Sequence, residues 1–262
     1  MDMQIVEERS VATKLEEQAQ SKLILVLGRG AAGKSFWTRW WLDRARTEGR
    51  AAAAGDADIV ARSLSRRMEN VLAPDSYQRG DLLKWWEALT SVHNRKSGAT
   101  IADFSPSGSP LREIAAAFGE SFNAYFEAIG IDLVAVHMIG PDGGDVNHFA
   151  AARSLIAPRE TVLVLNDGVG AVGARAREEI YSGILEDERV KAAVAEGAQL
   201  VRMPTLAMHS SDLDEVSSFT EAAAGKGLGK ASIGLAQQFM LKKWLGEMDG
   251  RFAPVAAALG FG

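Results

Sequence analysis

Apolar positions in this chain gather in short blocks separated by longer stretches of helical spacing. Leu23-Ile24-Leu25-Val26-Leu27 is a continuous apolar run closed by Gly28. A run that short, without polar alternation, predicts a strand buried on both faces, as in a parallel sheet. Comparable blocks recur at 99–103, 131–139, 161–165 and 199–203, the last closed by Pro204. The block at 51–54 is alanine, a poor strand former, and is read as a strand only because the rhythm asks for one. Between these blocks, 35–47 places Phe36, Trp37, Trp40, Trp41 and Ala45 at helical spacing, and Gly49 stops it. Further helices are expected over 111–129 and 174–195, and another carries Trp85 and Trp86. After Pro204 the pattern turns helical, with two helices expected on either side of Gly225-Lys226-Gly227-Leu228-Gly229-Lys230. Strands alternating with helices predict an α/β fold, a doubly wound and mainly parallel sheet with a helical C-terminal tail. The expected organisation is a polar N-terminal extension, 1–22, and one domain, 23–262, including C-terminal helices from about 205.

Composition narrows the chemistry. Of 262 residues 47% are hydrophobic and 24% charged, enough to bury a sizeable core. The absence of cysteine excludes disulfides, cysteine-ligated zinc or iron–sulfur centres and thiol nucleophiles. A net charge of −5, from 29 basic and 34 acidic residues, leaves room for a local basic patch but not a wholly basic surface. Arg66, Arg67, Lys226, Lys230, Lys242 and Lys243 are the candidates for such a patch on DNA. Without an apolar leader or span, the expectation is a soluble, cytoplasmic protein. Four histidines, His93, His137, His148 and His209, show no ligand spacing, and His137 is expected as a satisfied core residue. Six tryptophans are expected mostly in the core, although their spacing turns some outward.

The sharpest signal is Gly28-Arg29-Gly30-Ala31-Ala32-Gly33-Lys34-Ser35. It satisfies G-x-x-x-x-G-K-[ST], follows a strand and opens a helix, as a phosphate loop must. Backbone N–H groups of such a loop wrap phosphates, Lys34 reaches their outer oxygens and the Ser35 hydroxyl ligates Mg²⁺. Gly225 to Ser232 looks similar, but no strand feeds it and its G-K-[ST] spacing fails, so it is read as a connector.

The wording of the loop resembles the deviant Walker A motif of the ParA/MinD ATPases, K-G-G-x-G-K-[ST], with Arg29 and Ala31 replacing a lysine and a glycine. The resemblance implies a P-loop NTPase fold and an ATP- and Mg²⁺-dependent dimer, in which Arg29 reaches the partner's nucleotide. It implies that Asp58 of Asp56-Ala57-Asp58 orients the attacking water and that Asp56 supports the magnesium shell. Asp103, ending a strand, becomes the Walker B carboxylate, with Phe104-Ser105-Pro106-Ser107-Gly108 as the second switch. Asn166 and the loop around Pro204 are implied to contact adenine, and Phe36 closes the nucleotide-binding stretch 28–36. ATP is preferred to GTP because the run Asn166-Asp167-Gly168-Val169 lacks the N-K-x-D pattern. Partition, plasmid stabilisation, conjugative transfer and placement of a cellular machine are the outcomes the family implies. A protein that stimulates hydrolysis is the implied partner, non-specific DNA is a second, and membrane contact by 239–248 is not expected. Two other classes stay open: a small-molecule kinase or synthetase on the same fold, and a nucleotide-regulated binding module without turnover.

Overall fold

A computed structural model describes residues 21–95, 99–140, 144–169, 173–208, 210–226 and 233–261. The expected extension therefore lies outside the described residues up to residue 20, as do the 227–232 part of the connector, with Lys230, and His209. The side chain of His93 is outside them as well.

Seven strands form one sheet: β1 (Ser21–Leu27), β2 (Ala52–Asp56), β3 (Val71–Leu72), β4 (Ala99–Asp103), β5 (Ile131–Ile139), β6 (Glu160–Asn166) and β7 (Gln199–Met203). Every pairing is parallel, in the order β3-β2-β4-β1-β5-β6-β7. Helices α1 (Lys34–Thr47), α2 (Arg79–Arg95), α3 (Ser109–Phe118), α4 (Phe122–Ala128) and α5 (Gly144–Arg153) follow in chain order. They continue with α6 (Ala174–Glu186), α7 (Glu188–Ala195), α8 (Phe219–Ala223) and α9 (Leu235–Phe252). This is the expected α/β fold, a doubly wound parallel sheet, with the long helix α9 near its C-terminus.

The sheet is apolar on both faces because helices cover both. Ile24, Val26, Val134, Val136 and Val162 face a cluster completed by α1 and α9. Leu23, Leu25, Leu27, Leu133 and Ala135 face one completed by α2, α3 and α4. Alternate residues of one strand thus serve opposite cores, which is why β1 reads as an unbroken apolar run.

The alanine-rich β2 forms despite its composition because a bulky helix demands small partners. A Cβ on Gly55 would lie 2.8 Å from the Trp85 ring and 3.0 Å from Leu89, so α2 lies almost against the backbone. Tertiary packing overrides propensity here. The two long predicted helices are each broken. Gly119, at φ +58, ends α3 and a short 3-10 turn precedes α4. Asp187 stays extended between α6 and α7 and accepts the Arg189 N–H to cap the second. Strand β3 and helix α5 have no counterpart in the pattern reading.

All six tryptophans are buried, so none turns outward as the spacing suggested. Trp40 stacks at 4.8 Å on Phe252, and the Trp41 indole donates to the Leu259 carbonyl, binding α1 to the C-terminal residues. Trp244 likewise donates to the Pro204 carbonyl. Among the described residues no helix is long and apolar enough to cross a membrane.

Candidate nucleotide site

Strand order reverses direction at β1, whose neighbours are β4 and β5, so a crevice opens at their carboxyl ends. The segment from Gly28 to Gly33 fills that crevice and feeds α1. Its shape is forced by close approach. Gly28, at φ +144, could not carry a Cβ, which would meet the Met138 carbonyl oxygen at 2.5 Å. Gly33, at φ +94, is equally constrained, with the Asn166 amide nitrogen 2.3 Å from a built Cβ. Ala31 adopts a left-handed geometry (φ +59) that favours glycine, at a cost of about 1 kcal/mol. Helix α1 has no side-chain cap and no acid in its first turn, which leaves its amide end suited to an anion.

Lys34 is buried and folds back on the loop, its Nζ donating to the carbonyls of Gly28 and Arg29 at 2.9 Å each. Burial lowers its pKa, against the opposing pull of Asp103, Asp58 and Asp145. Asp103 ends β4 fully buried, and burial pushes its carboxyl up to about 7. The Lys34 charge and a hydrogen bond from Ser35 oppose that rise. Ser35 and Asp103 thus present a hydroxyl and a carboxylate to one point beside the phosphate loop. That oxygen pair suits Mg²⁺, a hard cation that keeps several waters and shares phosphate oxygens.

Asp58 lines the same cleft of about 440 Å³ as Lys34, Ser35 and Asp103, so the structure unites those four predicted residues. Its Oδ1 accepts the N–H groups of Val60 and Ala61 at 3.2 and 3.0 Å. Asp56, expected to support the magnesium shell, has its carboxylate on backbone donors. One carboxylate oxygen accepts the Asp58 N–H and the other accepts those of Leu64 and Ser65. With both oxygens on backbone donors, Asp56 shapes the loop that carries Asp58.

Arg29 is about two-fifths exposed and stands 3.9 Å from the buried Asp145 at the start of α5, an anchor within its own chain. Asp145 also accepts the Gly140 N–H, so it is held in turn. Asn166, for which an adenine contact is implied, has its side chain in backbone hydrogen bonds here. Its amide donates to the Ala32 carbonyl and accepts the Gly168 N–H, which braces the phosphate loop from behind. The residue still borders a second hollow of about 350 Å³ with Ala31, Phe36, Pro204, Met208 and Trp244. Those apolar walls, beside the phosphate loop, have the character of a base pocket.

Two residues near the loop had no sequence signal. His148 on α5 bonds the Pro106 backbone and feels the Lys34 and Arg29 charges. Tyr77, from the loop after β3, places its hydroxyl 3.4 Å from Asp58 Oδ1 and 3.4 Å from Ser105 Oγ. His137 is buried as expected but not satisfied. Its Nδ1 has no hydrogen-bond partner among the described residues, and burial lowers its pKa to about 3, so the ring is neutral. Of the basic-patch candidates, Arg67 is taken up by Asp214 at 2.8 Å, while Arg66, Lys226, Lys242 and Lys243 are exposed.

No family model and no curated protein sequence matches the chain. Solved structures do. The MinC:MinD cell division protein complex of Aquifex aeolicus is similar over 86% of this chain and 96% of that one, at 13% identity and a TM-score of 0.46. FlhF complexed with GMPPNP and Mg²⁺ is similar over 75% of this chain and 76% of that one, at 11% identity and a TM-score of 0.40. At such identities the likeness is one of fold.

Proposed function

We propose that this chain is a Mg²⁺-dependent ATPase of the ParA/MinD type, a switch that pairs with a second copy when ATP is bound. The observation that carries the reading is the gathering of Lys34, Ser35, Asp58 and Asp103 around one cleft at the mouth of a phosphate loop. Phosphate oxygens would take over the two Lys34 hydrogen bonds that now go to loop carbonyls, so the loop needs little rebuilding. Ser35 and Asp103 would hold Mg²⁺, which would offset the charge on the phosphates. Asp58 would orient a water in line with the outer phosphorus, a task of alignment more than of basicity. The apolar hollow beside Phe36 and Pro204 would take adenine. Arg29 would leave Asp145 to reach the partner's nucleotide. Cargo in partition, plasmid stabilisation or conjugative transfer would then be defined by the protein that stimulates turnover.

A second reading has one observation in its favour. Arg39, Ser63 and Arg67 also line the same cleft, and would suit an anionic acceptor of a kinase or synthetase. Asp58→Ala decides between them when followed by gel filtration with and without ATP. A switch keeps ATP affinity, loses about a hundredfold in hydrolysis and accumulates dimer. Hydrolysis at the wild-type rate would remove Asp58 from the mechanism, and an unchanging oligomer with acceptor-stimulated turnover would favour the kinase.

A further inference from the structure

Sheet order puts the loop after β3 beside the loop after β2, and the latter beside the loop after β4. Tyr77 rises from the first of these, braced by the Ser76 hydroxyl, which donates to Asp81 and accepts the Gln78 N–H at the start of α2. Its ring packs on the cluster that contains Ala57, Leu82, Trp85 and Phe104. Ala57 and Phe104 directly follow the two strands whose loops carry Asp58 and Ser105. The ring packs on the cluster to which both residues belong, and its hydroxyl lies 3.4 Å from a side chain on each loop. Ser105 Oγ in turn stands 3.1 Å from Ser107 Oγ, extending the chain of hydroxyls along the second loop.

We propose that Tyr77 is a positioning residue that couples the Asp58 loop to the Ser105 loop, so that closure of either one sets the direction of the Asp58 carboxylate. Tyr77 is not among the residues that line the cleft; it acts through Asp58. An aspartate that must aim a water gains from a partner outside its own loop, because Val60 and Ala61, which also bond it, belong to that loop. Distances of 3.4 Å describe a link not yet tight, as is common before a ligand closes the site. Closure of the Ser105 loop around an outer phosphate would carry Tyr77 with it and shorten the bond to Asp58. The positioning role rests on the ATPase reading; the coupling of the two loops does not.

Tyr77→Phe keeps the ring and removes the link. In the nucleotide-free protein, amide exchange should quicken at 58–61 and at 105–108 together; unchanged exchange at either loop overturns the coupling whatever the nucleotide chemistry proves to be. In steady-state assays kcat should fall about tenfold while KM stays within about twofold, the size of one hydrogen bond lost at the transition state. Ser105→Ala should cost about as much, and the double variant no more than either, since both cut one link. Additive losses, or an unchanged kcat, overturn the positioning role. Should the wild-type chain bind ATP without hydrolysing it, the ATPase reading falls with that role, and the exchange result alone decides the coupling.

Discussion

Asp56 and Asp103 are register partners at the carboxyl ends of β2 and β4, and both are almost wholly buried. Asp56 spends its carboxylate on three backbone N–H groups, two of them eight and nine residues further along the chain. Asp103 has the Ser35 hydroxyl and the Lys34 charge to set against burial, and burial wins. Two identical side chains, one strand apart, are thus a structural tie and a buried carboxyl held above its ordinary range. Strand-end position alone does not assign a role to an aspartate; the donors that reach it do.

Asp56→Ala tests the tie and should have the largest effect. Three donors lose a charged acceptor, so the fold should lose about 3 kcal/mol in denaturant titration, with faster exchange over 57–65. A loss under about 1 kcal/mol would show that the loop holds itself.

Asp103→Asn should act in the opposite direction. The Asp103 pKa is 3.8 in an unfolded chain and about 7 in the fold, so the folded state keeps the proton longer. Stability therefore falls as pH rises between those values, and the full penalty remains above them. Asparagine removes the penalty, so the nucleotide-free variant should gain about 2 kcal/mol at pH 8 and clearly less at pH 5. Equal gains at both pH values would mean that Asp103 is not held above its ordinary range. Ser35→Ala should move stability least, by about 1 kcal/mol, while abolishing the dependence of ATP affinity on Mg²⁺. Retained Mg²⁺ dependence would place the cation elsewhere.

The same contrast marks what the chain reveals before it folds. From Leu23 to Ser35 the strand, the tight loop and the helix start are local, and each needs its residue types at fixed offsets, so fold and phosphate site are legible together. Asp56 was legible as an acid near the site but not as a tie, because Leu64 and Ser65 approach it along a loop with no periodic pattern. Tyr77 follows a strand of only two residues, too short to alternate. Asn166 was visible at its strand end, yet its grip on the Ala32 carbonyl spans 134 residues. The helix break at Gly119 was there to be read, since a glycine amid helical spacing weakens the helix and readily takes the positive φ that ends one.

The dimensions of the sheet bear on how two copies would meet in the proposed switch. One border is β3, two residues long, too short a template for a foreign strand. At the other, β7 is overlain by α9, whose Arg251 guanidinium reaches the Arg202 carbonyl at 3.4 Å and sets a charge over the edge. Neither border invites a continuous intermolecular sheet. The pairing of two copies proposed above would fall instead to side-chain surfaces, and could be made and undone without breaking a ladder of backbone bonds.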